Sequence, residues 1–437
     1  MGVFYQKEIE TMSRKELEAL QFERLKWQIN RCYESSPFYR EKWEKAGFKP
    51  KYLNSLADVR NIPVVTKDEL RDEQAKYPPF GRYVLAPRSE WRELHPSSGT
   101  TGNPVNTIWS ERDVNSITEV TARMMWGFGV RPGDIIQNGF SYGLWVAGMS
   151  AHYAARKLGC FVIPVGAQLS KRQIEYFKNP GSDVLLCTPS FALHIAEKMS
   201  EEGISPNEIP LRIGAFGGEG GTENPSTRSR LEAGLGIDAY DFYGLAEIGP
   251  TFAAECTEKA GLHWAEDHYL IEIINPETMD PCVEGEIGVL VISHLTREAT
   301  PMVRYWTNDL AKMVVEPCRC GRTHARSPGG ILGRADDLVV YKGAKFYPSQ
   351  VEKVIRGFDC LSNEFRIELT YDEKRGVDVC TVIVEKVTEI DENVFIPQLK
   401  KALKEELMVT PEISVKPFGY IERTAFKAKR LFDLRKK

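Results

Sequence analysis

Asp134-Ile135-Ile136-Gln137-Asn138, Cys160-Phe161-Val162-Ile163-Pro164 and Asp183-Val184-Leu185-Leu186-Cys187 are three short apolar runs in close succession. Runs of this length, rich in Val and Ile and bounded by Gly, Pro and Asp, read as buried strands. The stretches between them, around 145 to 158 and 171 to 178, carry helical spacing. Strands alternating with crossover helices predict a parallel sheet flanked by helices, and this pattern extends from about 95 to 240.

The pattern changes on either side. Residues 1 to 60 are rich in helix formers, with Leu17, Leu20, Phe22, Leu25 and Ile29 near helical spacing, which predicts an amphipathic helix packed on the body. Between 265 and 315 the apolar period becomes two, in Tyr269-Leu270-Ile271-Glu272-Ile273-Ile274 and Gly288-Val289-Leu290-Val291-Ile292, as antiparallel strands require. A boundary falls at Ile331-Leu332-Gly333-Arg334-Ala335-Asp336-Asp337. Beyond it, Leu338-Val339-Val340, a helix near 348 to 356, strands near 365 to 371 and 378 to 386, a helix near 391 to 407 and a strand near 412 to 417 form a βαββαβ-like tail. The expected fold is α/β: a large domain of mixed sheets and helices over 1–332, and a small C-terminal α+β domain over 333–437.

A chain of 437 residues is too long for one ordinary core, and 42% hydrophobic with 27% charged residues is a globular composition. Fifty-seven basic against sixty-one acidic residues argue against a surface built for nucleic acid or anionic membrane. The N-terminus shows no signal-peptide pattern and no run reaches a membrane span, so a cytoplasmic protein is expected. Nine scattered cysteines fit a reducing compartment. The sequence leaves a homodimer open.

Ser97-Ser98-Gly99-Thr100-Thr101-Gly102 sets hydroxyl pairs between glycines. Glycine lets the backbone approach an anion, and N–H and hydroxyl donors can then cover phosphate oxygens. The stretch lacks the Gly-Lys-Ser/Thr ending of a P-loop NTPase. Alone, such a composition is also that of a solvated turn.

Downstream come Tyr243-Gly244-Leu245-Ala246-Glu247, Arg304-Tyr305-Trp306-Thr307-Asn308-Asp309, Gly333-Arg334-Ala335-Asp336-Asp337 and Lys427, in that order. The ordered set resembles the adenylate-forming acyl- and aryl-CoA ligases over almost the whole chain. Within them it is most similar to the phenylacetate–CoA ligases, through Thr66-Lys67-Asp68-Glu69-Leu70-Arg71, Thr188-Pro189-Ser190 and Cys318-Arg319-Cys320-Gly321-Arg322. It departs from them at Ala246, where Ser or Thr is usual, and at Ala425-Phe426-Lys427, where a Glu-Gly-Lys-like approach is usual.

The resemblance implies ATP-dependent activation of an aromatic, phenylacetate-like acid to its acyl-adenylate, then transfer to coenzyme A. It implies that the Ser97–Gly102 stretch binds nucleotide phosphates and that Glu247 holds Mg²⁺ against them. Lys427 would bridge the incoming carboxylate and the α-phosphate. Asp309 would accept the ribose hydroxyls with help from Arg334. Gly218 and Glu219 would lie along adenine, with Tyr243 and Gly244 at its other face, and Asp336 would be the hinge of the small domain. Two other readings share these residues: an enzyme that passes the acyl group to a carrier protein or another acceptor, and a catalytically silent nucleotide or small-molecule sensor.

Two further groups are read from residue chemistry. Phe140, Tyr142, Gly143 and Trp145 follow a predicted strand, and an aromatic wall there suits a flat hydrophobic acid; core packing accounts for them equally well. Cys318 and Cys320, with Cys256 and His263 upstream, could form a closed Zn²⁺ site that pins loops together. His324 is an alternative nitrogen donor, and an unmetallated cysteine pair fits the spacing as well.

Overall fold

The structure is a computed structural model that describes residues 2–97, 103–423 and 429–435. Its first long helix, Arg14–Ser35, starts at a capping box in which Ser13 and Glu16 satisfy each other's backbone N–H groups. It buries Leu17, Leu25, Ile29 and Cys32, one stripe at helical spacing. It ends at Ser36 because Pro37 disfavours the helical conformation of the residue before it, and Ser36 then caps the next helix, Pro37–Lys45.

The three apolar runs of the central stretch form the strands Ile135–Asn138, Phe161–Ile163 and Val184–Cys187. They join Ile213–Phe216 and Asp238–Leu245 in a parallel arrangement. All four residues of Val184–Cys187 and of Ile213–Phe216 are buried, as strands covered on both faces must be. The sheet then turns antiparallel through Gly249–Ala254, Leu262–Trp264 and Arg326–Ser327, making eight strands. A second, antiparallel sheet of four strands runs Tyr269–Ile274, Gly288–His294, Tyr305–Ala311 and Gly333–Arg334. The first and second of these are the runs of period two.

From Val339 onward the chain builds its own apolar core, with Phe346, Phe365, Val382 and Leu399 at its centre. The helices Pro348–Ile355 and Glu392–Leu407 cover one four-stranded sheet, ordered Glu412–Pro417, Val377–Lys386, Leu361–Asp372 and Leu431–Asp433. Two details depart from the βαββαβ expectation. Among the described residues Val339–Tyr341 pairs only with Ala344–Phe346, in a separate ribbon, and the sheet takes its fourth strand from Leu431–Asp433, which lies between Arg430 and Arg435. The fold is thus α/β, a large N-terminal body of mixed sheets and helices with a small C-terminal α+β lobe.

Candidate active site and metal centre

Trp91–Pro96 and Asn106–Ser110 pair as a hairpin, and the Ser/Gly/Thr stretch is its connection. Ser97 closes the mouth: its N–H donates to Val105 O at 2.8 Å, and its Oγ accepts from Val105 N–H at 2.9 Å. Ser98, Gly99, Thr100, Thr101 and Gly102 lie outside the described residues, as does Lys427.

The strand Asp238–Leu245 carries Tyr243 and Gly244 to the rim of a cleft that also takes in Gly218, Glu219, Asp309 and Arg334. Gly244 is required by proximity, since a Cβ there would stand 1.9 Å from Pro250 O. Gly218 has φ +88° and lies under Trp145, whose ring a Cβ would meet at 3.0 Å. Glu219 accepts a hydrogen bond from Ser190 N–H at the start of the helix Pro189–Glu201, at 2.9 Å. Tyr243 donates its hydroxyl to Asp309 Oδ2 at 2.5 Å, and Arg334 Nη1 donates to Asp309 Oδ1 at 3.1 Å. Burial, then the Asp309 charge, pushes the Tyr243 phenol well above its ordinary range. Arg334 also grips Asp336 at 2.8 and 2.7 Å, and thus ties the candidate hinge to the candidate ribose site.

Glu247 follows in the turn after Leu245 and is buried. Lys67 Nζ stands 2.8 Å from its Oε1. Lys67 opens the helix Lys67–Lys76, whose N-cap is a capping box between Thr66 and Glu69. A cation at that end opposes the helix dipole, so its place calls for another reason than helix stability. That misfit is the one signal in the sequence that marks Lys67 for a role beyond the helix. The next turns of the same helix hold the far side of the hairpin connection: Arg71 Nε donates to Asn103 O at 3.0 Å and Gln74 Nε2 to Pro104 O at 3.0 Å. Where the family usually has a hydroxyl, Ala246 offers its carbonyl to Thr107 Oγ1 at 3.4 Å.

Phe140 is buried against Trp145 and Phe242, with ring centroids 5.4 and 5.8 Å away, both edge-on. Tyr142 is held by Asn138 Nδ2 at 2.8 Å and His152 Nδ1 at 3.1 Å. Gly143 is exposed at φ +122°. Phe140 is therefore core that backs Trp145, and the Trp145 ring approaches Gly218 at the edge of the cleft.

Within the same cleft, body and lobe face each other with acids. Glu223 and Asp241 belong to the body and Glu352 to the lobe helix Pro348–Ile355. Burial, then the Glu352 charge, pushes Glu223 up to about 7. Burial, Glu223 and Glu255 likewise raise Asp241. Arg356 Nη1 bonds both Glu352 Oε1 and Thr227 Oγ1 at 2.5 Å.

The Cys and His ligand atoms of Cys256, His263, Cys318 and Cys320 all lie within 4.8 Å of one another. Cys256 Sγ and Cys318 Sγ are 3.9 Å apart, and Cys320 Sγ is 3.7 Å from His263 Nε2. A tetrahedral Zn²⁺ with Zn–S bonds of about 2.3 Å has S···S edges of about 3.8 Å, so the donor set fits that ion in type and in size. Contact with Cys256 holds the Cys320 thiol down to about 2 and raises Cys256 in turn. His324 is not part of the group: its Nδ1 meets Trp264 O and its Nε2 meets Ile9 O, each at 3.0 Å. The cysteine turn is fastened to the start of the chain by Arg322, 2.7 Å from Glu10 Oε2 with both side chains buried, and by Thr323 Oγ1, 2.6 Å from Met12 O.

Among the described residues no helix is long and apolar enough to cross a membrane. Residues 65–300 match the family described as AMP-binding enzyme, and residues 343–435 match the AMP-binding enzyme C-terminal domain. A phenylacetate-coenzyme A ligase of Thermus thermophilus is 38% identical over 99% of this chain and 100% of its own length. A solved 2-hydroxyisobutyryl-CoA ligase in the postadenylation state, in complex with R3-HIB-AMP, is 31% identical, with a TM-score of 0.93 over 99% of this chain and 92% of that one. With 2-HIB-AMP and CoA in the thioesterification state, the ligase of that name is 32% identical and covers 99% and 93%, but the TM-score is 0.76. Body and lobe together therefore overlay more closely on the postadenylation structure than on the thioesterification one. The cleft, its ordered motifs and their full-length match agree: the chain belongs to the phenylacetate–coenzyme A ligase family of AMP-binding enzymes, the AMP-forming acid–thiol ligases.

Proposed function

We propose that this ligase acts on phenylacetate or a closely similar aryl acid, in two steps at one cleft. The carboxylate oxygen attacks the α-phosphorus of ATP and pyrophosphate leaves. The thiol of coenzyme A then attacks the adenylate carbonyl, and AMP leaves as the thioester forms. The observation that carries this reading is the convergence of Tyr243, Asp309, Arg334 and the Gly218–Glu219 loop on one cleft, with the Trp145 ring, backed by Phe140, beside it. Asp309 holds the ribose hydroxyls, Arg334 steadies Asp309, and Gly218, Glu219, Tyr243 and Gly244 frame adenine. The aromatic wall takes a flat apolar ring, for which burial and edge contacts are the main source of affinity.

Glu247 supplies a hard oxygen ligand for Mg²⁺ beside the phosphates, and Lys67 offsets its charge when the phosphates are absent. Lys427 compensates the charge that builds between carboxylate and α-phosphate. With the domain division at 332/333, Gly333 and Arg334 stay paired to the body's sheet, and the lobe beyond Asp336 turns about that residue between the two steps. Cys256, His263, Cys318 and Cys320 hold a structural Zn²⁺, closed to substrate by its four protein ligands.

Acid-dependent pyrophosphate release with ATP and Mg²⁺, over a panel of aryl and short aliphatic acids, tests the reading. Phenylacetate and near analogues should give the highest kcat/KM. Nucleotide binding with no pyrophosphate release from any acid would leave only the silent-sensor reading.

A further inference from the structure

Two body helices hold the lobe at a place away from the nucleotide cleft. Arg230, on Pro225–Leu235, donates Nη1 to Asn363 Oδ1 at 2.9 Å and to Leu361 O at 3.3 Å, and Nη2 to Phe358 O at 2.9 Å. All three acceptors belong to the lobe, at the start of its strand Leu361–Asp372 or just before it. Glu197, on Pro189–Glu201, accepts from Asn363 Nδ2 at 2.9 Å and faces Arg423 Nε at 3.7 Å. Asn363 is therefore clasped on both sides of its amide, by a guanidinium and by a carboxylate. Burial raises Glu197, but His194, Asn363 and Arg423 outweigh it and hold the carboxyl below its ordinary value.

None of these residues lines the cleft. They are also too exacting for a passive contact. A guanidinium fork with three acceptors tolerates little displacement, because hydrogen bonds weaken steeply beyond about 3.5 Å or below about 120°. The arrangement in which the fork is closed is the one that overlays on the postadenylation state, at a TM-score of 0.93 against 0.76 for the thioesterification state.

We propose that Arg230, Glu197 and Asn363 form a latch that holds the lobe in the adenylate-forming arrangement, and that its opening is a step toward thioester formation. They are positioning residues: they act through the lobe and touch neither substrate. The inference rests on the reading that the lobe turns about Asp336. A ligand-independent latch of this kind biases the equilibrium between two placements, so weakening it must slow one half-reaction and spare or speed the other.

The experiment measures the half-reactions separately in the full-length enzyme: ATP–pyrophosphate exchange with phenylacetate, and thioester formation from supplied phenylacetyl-adenylate and CoA. Arg230→Ala and Asn363→Ala should each lower kcat for exchange about tenfold, the size expected for losing a charge-assisted hydrogen bond. KM for ATP should be unchanged, and thioester formation should be unchanged or faster. Asn363→Ala removes only the lobe's partner and guards against a folding defect in Arg230→Ala. Arg230→Lys, which keeps the charge without the fork, should recover less than half of the loss. Asp336→Pro is run beside them, since a fixed φ obstructs the hinge. If Asp336→Pro separates the half-reactions while Arg230→Ala and Asn363→Ala change both in parallel or neither, the latch is wrong and the turning lobe stands. If Asp336→Pro leaves both half-reactions at wild-type rates, the turning lobe itself is wrong, and the latch falls with it.

Discussion

Lys67 Nζ lies 2.8 Å from Glu247 Oε1, joining the first residue of one helix to a buried carboxylate in a turn some 180 residues later in the chain. The lysine side chain is one-third exposed and that of the glutamate 4%, so the pair is asymmetric: the lysine can swing toward solvent, whereas the glutamate cannot.

Lys67→Ala should therefore cost stability as well as activity. It strands Glu247 without its cation, and with solvent reaching the lysine side the loss should be about 1–2 kcal/mol in urea unfolding. Adding Glu247→Gln should restore most of the stability while leaving adenylation impaired. A double variant no more stable than Lys67→Ala would show that the ion pair is not the cause.

Lys427→Ala should cripple adenylation and leave thioester formation from supplied adenylate largely intact. The cation matters only while carboxylate and α-phosphate approach each other, and losing one well-placed electrostatic contact commonly costs about 10²–10³ in rate. An effect below about tenfold, or an equal loss in both steps, would take Lys427 out of that role.

One Zn²⁺ should copurify with each chain, measured by elemental analysis of protein prepared without chelator. Removing it, or changing Cys320→Ser, should lower Tm by about 5 °C or more, because the binding energy of a structural site is folding energy. Activity at low temperature should fall far less. Protein free of stoichiometric metal and equally stable would end the assignment.

Stability should fall as pH rises from about 4.5 to about 7 on account of Glu223. Its carboxyl, ordinarily near 4.5, titrates at about 7 in the fold, so across that window the unfolded chain has released a proton that the folded chain still holds. The groups around it are Asp241, Glu352, Arg356 and the Gly221 N–H, 2.6 Å from Glu223 Oε2. Glu223→Gln should narrow the Tm difference between pH 5 and pH 8; an unchanged difference would assign the slope to other groups.

The sequence exposed the parallel strands because four-residue runs such as Val184–Cys187 are apolar throughout, which only burial on both faces explains. It also brought together the four candidate metal ligands, since thiol and imidazole have few reasons to cluster by chance of composition. It hid Leu431–Asp433, because two half-buried residues and an exposed aspartate at a sheet edge amid lysines and arginines have no apolar pattern to show. The roles of Lys67, Arg230 and Asn363 were hidden for a different reason. Each depends on a partner more than a hundred residues away, and charged or amide side chains on helix and strand surfaces look alike until that partner is known.

The seam between the cysteine turn and the segment just before the helix Arg14–Ser35 bears on how the protein is made. Ile9, Glu10 and Met12 are met by His324, Arg322 and Thr323, across a sequence gap of 311 to 315 residues. Synthesis from the N-terminal side must therefore add more than three hundred residues after that early segment before it can dock. Until then the Met12 carbonyl faces water and Glu10 keeps only its local bonds from the Tyr5 and Gln6 N–H groups, at 2.7 Å each. Biogenesis of the body is for that reason a late event in synthesis, closed by the arrival of one short turn.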